Sequence, residues 1–381
     1  DSLSSKALVA SGVSVLFGAA VFFLSRRSKK NALPTATTGI LETIREMSGP
    51  HAPFYLLEQE KKLGTSTFRL PLPLPGGVYI CGDPKLQRQI LQDKSADKPE
   101  ILYKVFEKNA GGPTIFSRST FDLLWRKIRK ATAPAFSKTE VDRMNELCGR
   151  YVDIWIQERL LPMCENGKSF DPAKEISGLT FCSVVESAFE YTPTHEEYET
   201  IHDSLETSLR EFAFRQSTNP LRKVFGFLLP DTRRAYRAAN VICEFARKLL
   251  FFYRRNTKKS DQMTLIKLIE NTDITEREKI SEIVAFLIAG HDTTGYTLAS
   301  VLVNLAKHPD ELRKARHNPD YLQCVMQESQ RITPVAAVGS IRSVDHEIIV
   351  SDNKVIPKRA SIIMPHILAF YNSTIFPDPE T

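Results

Sequence analysis

Residues 274–306 predict one long helix that runs through the interior of the fold. Thr275 followed three residues later by Glu278 forms a capping box, which marks where a helix starts. Beyond Ile280 the segment is apolar around nearly its whole circumference, so no face of the helix is suited to water. The segment is therefore expected to cross the protein interior.

A polar break, AGHDTTG, interrupts this helix. His291 and Asp292 inside the apolar run argue against a membrane span. Gly290 would allow close approach of a flat ligand, and Thr293 and Thr294 can bond to carbonyls one turn earlier and bend the helix. An acid followed directly by an alcohol suits proton delivery into a dry pocket. The alternative is a structural kink in which the carboxylate simply bonds a neighbour, because burial without a partner is costly.

The rest of the chain predicts a mainly helical fold with small β-sheets near both ends. Helical spacing of apolar residues predominates from 119 to 306. Residues 67–84 predict two short strands around a Pro/Gly turn, followed by a helix that Asp83 caps. Residues 341–350 and 354–365 alternate as strands do.

Residues 1–30 predict an N-terminal membrane anchor, and residues 31–381 one domain. Residues 7–24 carry no charge and are followed by the basic cluster at 26–30, which tends to stay in the cytoplasm. A single span with the domain in the cytosol is therefore expected. The alternatives are a cleaved signal peptide, whose basic region would come first, and a buried core helix.

Charge and cysteine usage exclude other classes. The net charge is +6, and residues 1–30 supply most of it, so nothing points to nucleic acid. The six cysteines show no metal-ligand spacing, and reduced cysteines are the expectation in a cytosolic domain.

AGHDTT resembles the central-helix pattern A/G-G-x-D/E-T-T of the cytochrome P450 haem-thiolate monooxygenases at all six positions. The resemblance implies the P450 fold. It also implies that Asp292 and Thr293 are the acid–alcohol pair that steers protons during oxygen activation, and that Ala289 and Gly290 border the haem.

Further motifs resemble the family in the same order along the chain. Glu328 and Arg331 match E-x-x-R, a structural ion pair, although this spacing also occurs elsewhere in the chain. Trp125 and Arg129 match W-x-x-x-R, and Arg342 matches a strand arginine; the resemblance places these three at the haem propionates.

Two departures from the family pattern weaken the match locally, and a third departure is large. Arg359 replaces the usual glycine of one segment, and Tyr371 replaces the usual histidine of another. The cysteine loop F-x-x-G-x-x-x-C-x-G is absent, and the last cysteine is Cys324. The matched set covers residues 50–381, so the expectation is a P450 domain truncated before its haem-ligating cysteine, without a metal ligand and inactive as given.

The resemblance implies haem b, which would insert one atom of O2 into a lipophilic substrate, with NADPH electrons supplied by a flavin-containing NADPH–cytochrome reductase. The implied location is a single-pass membrane protein of the endoplasmic reticulum facing the cytosol. Two alternatives stay open, a P450-fold isomerase or lyase that needs no O2, and a non-enzymatic, membrane-anchored binding protein. Candidate apolar pocket walls are Ile115, Phe116, Phe286, Ala289 and residues 335–338.

Overall fold

The computed structural model describes residues 32–256, 261–351 and 354–379. The predicted anchor at residues 1–30 lies outside these ranges. Of the helices within them, none combines the length and the apolar character that crossing a membrane requires.

The described chain is mostly helical, as the sequence predicts. Its α-helices are α1 Ile40–Met47, α2 Ala52–Leu63, α3 Pro84–Gln92, α4 Glu100–Tyr103, α5 Glu107–Ala110, α6 Leu123–Thr132, α7 Lys138–Trp155, α8 Leu161–Glu165, α9 Pro172–Phe189, α10 His195–Leu209, α11 Pro220–Phe225, α12 Pro230–Arg255, α13 Leu265–Glu270, α14 Glu276–Lys307, α15 Pro309–His317, α16 Pro319–Ile332 and α17 His366–Phe370.

Several helix starts follow from side chains that the sequence displays. The Asp83 carboxylate accepts the backbone N–H groups of Lys85 and Leu86 at the start of α3. At the start of α14, Thr275 and Glu278 form the predicted capping box. Two π-helical segments, Ile156–Leu160 and Arg210–Gln216, extend α7 and α10 and have no counterpart in the sequence prediction.

Six short strands form two small sheets. The strands are β1 Thr67–Leu70, β2 Val78–Cys81, β3 Ser340–Arg342, β4 Ile348–Ser351, β5 Lys354–Ile356 and β6 Ser361–Met364. The larger sheet has the order β1-β2-β6-β3, in which β6 runs parallel to β2 and antiparallel to β3. This sheet brings the two ends of the domain together, while β4 and β5 form a separate antiparallel hairpin.

The central helix α14 packs along α9 over much of its length. Close approach depends on two glycines, since a Cβ on Gly290 would lie 2.9 Å from Val184 and a Cβ on Gly295 would lie 2.9 Å from the Ser177 Cα. The largest buried apolar cluster joins α9, α10, α12, α13 and α14. The mainly helical architecture with small sheets is thus confirmed, and it holds the middle of α14 between packed helices.

Candidate functional site

One face of α14 is open at the level of the polar break. Ala289 and Thr293 are exposed and lie one turn apart on the same face of the helix. The Thr293 hydroxyl donates to the Ala289 carbonyl at 2.8 Å, and the Thr297 hydroxyl repeats the same bond to the Thr293 carbonyl. The predicted back-bond of Thr293 is confirmed, and α14 nevertheless runs as one helix from Glu276 to Lys307.

The other side of the break is buried. The His291 ring is fully buried, and its Nδ1 lies 3.0 Å from the Leu287 carbonyl oxygen. The Asp292 side chain is 21% exposed, and its Oδ1 lies 2.9 Å from His291 Nε2. Asp292 and Thr293 therefore sit side by side on the backbone but direct their polar atoms differently. A Cβ on Gly290 would collide with Val184, so helix α9 occupies the space beside this glycine. A ligand contact at Gly290 stays a prediction.

A group of cations consists of Lys98, in the loop between α3 and α4, and Arg342 on strand β3. Lys98 Nζ donates to the Ile115 carbonyl at 2.7 Å and lies 5.5 Å from the centre of the Trp125 ring. Arg342 donates to the Ile341 carbonyl at 2.8 Å and to the Tyr103 hydroxyl at 3.3 Å. Burial, and next the nearby Arg342 charge, lower the pKa of Lys98 to about 8.

These cations lack carboxylate partners in the described part of the chain. No ion pair there includes Lys98, Arg129 or Arg342. Two like charges that repel each other, one of them half-buried, favour a nearby anionic group. Lys98 carries no motif, so sequence reasoning missed it.

Trp125 holds the loop at Ile115. Its indole N–H donates to the Ile115 carbonyl at 2.9 Å. Its predicted contact with a propionate stays a prediction. Arg129, four residues on in α6, is exposed.

The same loop is fixed from α14 by a buried carboxylate. Glu282 is fully buried and accepts the Ile115 backbone N–H at 2.8 and 3.1 Å. Burial raises the pKa of Glu282 to about 7, against an ordinary value of 4.5. Ile115 is thus held through its N–H by α14 and through its carbonyl by Lys98 and Trp125.

Glu282 is expected to make the folded chain lose stability as the pH rises. Because its pKa is higher in the folded state, that state binds more protons than the unfolded chain between pH 4.5 and about 7. The loss across this window is of the order of 2–3 kcal/mol, and Glu282→Gln is expected to remove it. Urea unfolding at pH 5 and pH 8 measures the effect.

Glu60 provides an internal reference for this experiment. Burial also raises the pKa of Glu60 to about 7, so Glu60 adds its own loss of stability with rising pH in both the unsubstituted chain and Glu282→Gln. The informative quantity is therefore the difference between the two pH curves. Parallel curves for the substituted and unsubstituted chains would contradict the assignment.

The predicted Glu328–Arg331 pair forms. Arg331 donates to both Glu328 carboxylate oxygens at 2.7 and 2.9 Å. The same guanidinium donates to the carbonyls of Phe370 at 3.0 Å and Pro379 at 2.8 Å. Arg331 is buried, so it ties the end of α16 to the segment around α17.

An apolar cavity of about 350 Å³ opens between α14 and the segment after α16. Val335 and Ala337 line it, together with Tyr296 and Ser300 of α14. The other predicted walls lie outside this cavity. The ring centroids of Phe286 and Phe136 lie 6.2 Å apart. Phe116 belongs to a separate aromatic group around Tyr103.

A family model described as Cytochrome P450 matches residues 66–381. Human cytochrome P450 4F2 is 24% identical over 351 residues, which cover 81% of this chain and 66% of that protein. The chain thus spans just under two thirds of this relative's length. A bifunctional cytochrome P450/NADPH–P450 reductase 1 of Bacillus subtilis (strain 168) is 24% identical over 307 residues, 72% of this chain and 28% of that protein.

A solved structure has the same fold. The retinoic acid-bound cyanobacterial CYP120A1 superposes with a TM-score of 0.69 at 14% sequence identity. The superposition covers 92% of this chain and 80% of the other.

Proposed function

Because the chain belongs to the cytochrome P450 family, we propose that it forms part of a haem monooxygenase site, in which the cation group and the open face of α14 would hold the haem. The observation that carries the proposal is the cation group of Lys98 and Arg342 without ion-pair partners among the described residues, which Ile115 links to Glu282 of α14. Bound haem would supply the activation of O2, and the protein's residues supply orientation and protons.

The cations fit the carboxylates of a haem. Lys98, Arg342 and the exposed Arg129 can each donate charged hydrogen bonds to a carboxylate. The six cysteines lie on β2, α7, α8, α9, α12 and α16, so none lies on α14. The residues that we assign to the haem are cations and an alcohol, and none of them is a cysteine.

Asp292 and Thr293 carry the proton chemistry in this proposal. Asp292 is partly exposed, so its carboxylate can take a proton from solvent. The Thr293 hydroxyl lies on the open face and donates to the Ala289 carbonyl, so its oxygen can accept a hydrogen bond from a water molecule that carries a proton from the acid, and the hydroxyl would release its own proton towards the open face as it takes up the new one. Ala289, with only a methyl group, leaves room beside that hydroxyl.

A cavity, a relative and a surface patch support proposals for the substrate, the electron donor and the membrane contact. The apolar lining of the cavity at Val335 and Ala337 favours a lipophilic substrate. The fused reductase of the Bacillus relative supports electron supply from NADPH through a reductase. A patch of exposed apolar side chains in and after α11 supports contact with a membrane, as at the endoplasmic reticulum; its members are Leu221, Val224, Phe225, Phe227, Leu228 and Leu229.

An isotope experiment tests the reaction class. The haem-loaded protein is given NADPH, a reductase and ¹⁸O2, with retinoic acid as the first lipophilic probe. One ¹⁸O atom per product molecule is expected. Product without ¹⁸O would favour an isomerase or lyase, and tight probe binding without any product would favour a binding protein; either result would overturn the proposal.

A further inference from the structure

A cluster of two histidines and a carboxylate lies between α10 and α14. The ring nitrogens of His202 and His291 and a carboxylate oxygen of Asp292 lie within 4.8 Å of one another. His291 follows Ala289 by about 200° around the helix, so its ring is on the side away from the open face. The two histidines therefore lie away from the face that we assign to the haem, while Asp292 belongs both to this cluster and to the proton path of the proposed function.

The hydrogen bonding of His291 leaves a lone pair in this cluster. Its Nδ1 faces the Leu287 carbonyl, which can only accept, so Nδ1 carries the proton and Nε2 of the neutral ring does not. His291 Nε2 is buried without a hydrogen-bond partner. It lies 2.9 Å from Asp292 Oδ1, but not in the geometry of a hydrogen bond. Two electron-rich atoms this close need a positive group to stabilise them.

His202 of α10 supplies a further unpaired ring nitrogen to the cluster. Its Nδ1 is also buried and has no hydrogen-bond partner. The rings of His202 and His291 meet edge to face, with centroids 6.3 Å apart. Because the His202 side chain is partly exposed, an ion can reach the cluster from solvent.

The charge around the cluster is negative. Within the residues that the structure describes, the only ion-pair distance of Asp292 is to His291, and no Lys or Arg neutralises it. A divalent cation would supply the missing charge.

We propose that His202, His291 and Asp292 bind one divalent transition-metal ion of the Zn²⁺ type. Two imidazoles and one carboxylate are a donor set that Zn²⁺ uses, with a fourth position for water. The Leu287 carbonyl accepts a hydrogen bond from His291 Nδ1 and so orients the ring, as hydrogen-bond partners of metal-bound histidines commonly do. Zn–N bonds are about 2.0–2.1 Å long, so small side-chain rotations close the site.

Cobalt titration tests the site without reference to enzyme activity. The purified chain is freed of metal by chelation and titrated with Co²⁺, which is followed by its visible absorption. Saturation at one Co²⁺ per chain is expected, with displacement by one equivalent of Zn²⁺. His202→Ala and Asp292→Asn are each expected to weaken Co²⁺ binding by at least about tenfold.

His195→Ala is the matched control, since His195 is exposed on α10, the helix that also carries His202. His195 Nε2 lies 3.6 Å from a carboxylate oxygen of Glu199. This variant is expected to bind Co²⁺ like the unsubstituted chain. Circular dichroism checks that every variant is folded. Absence of saturable binding would overturn the proposal, as would unchanged affinity in both His202→Ala and Asp292→Asn.

Discussion

Asp292→Asn is expected to lower product formation by the haem-loaded protein by about 100-fold or more, because a positioned acid contributes about 10²–10⁴-fold. Thr293→Ala is expected to keep NADPH consumption while product per NADPH falls, since the alcohol on the open face of α14 is lost. Parallel assays of NADPH oxidation and product measure both effects. A chelator in the buffer keeps metal binding at Asp292 out of the comparison.

Thr297→Ala is the matched control for the alcohol. Thr297 makes the same bond, to the Thr293 carbonyl, one turn further along α14. Its loss is expected to leave the product per NADPH unchanged. Equal coupling in the Thr293 and Thr297 variants would contradict the role given to Thr293.

Arg331→Ala is expected to destabilise the fold by about 2–4 kcal/mol. The buried guanidinium makes charged hydrogen bonds to Glu328 and to the Phe370 and Pro379 carbonyls, and each such bond contributes about 1.5–3 kcal/mol. The free-energy cost of losing these hydrogen bonds is partly offset, because the Glu328 side chain is 53% exposed and can be hydrated in the variant. Urea unfolding measures the change in the free energy of unfolding.

Arg247→Ala is the control with the same sequence spacing. Arg247 pairs with Glu244 across three residues of α12, and both side chains are exposed. Surface pairs of this kind contribute about 0–1 kcal/mol. If the two substitutions had equal effects, the structural role of Arg331 would be contradicted.

The Glu328–Arg331 and Glu244–Arg247 pairs show which contacts could be predicted from the sequence alone. The spacing E-x-x-R is identical in both, and at a third place Arg45 pairs with its neighbour Glu46 rather than with Glu42. Chain order selected the Glu328–Arg331 pair correctly. Only the fold could show the carbonyls of Phe370 and Pro379, because they lie 39 and 48 residues away.

The fold was more predictable than the site. Helix caps and apolar periodicity are local, so α14 with its capping box and the short strands near both ends could be predicted from the sequence. The contact of Lys98 with Trp125 and the link from Glu282 to Ile115 depend on long-range packing and carry no motif. For the same reason, the approach of Val184 of α9 to Gly290 could not be predicted from the sequence.

Titration of the purified chain with haemin, followed by Soret absorbance, tests the central claim most directly. Binding is expected to saturate at one haem per chain. Lys98→Ala and Arg342→Ala should each weaken it about tenfold or more, which corresponds to the loss of one charged hydrogen bond. Lys130→Ala, an exposed control on α6, should not change it. Haem binding that is not saturable, or that is equally tight in the Lys98 and Arg342 variants, would contradict the proposed haem site.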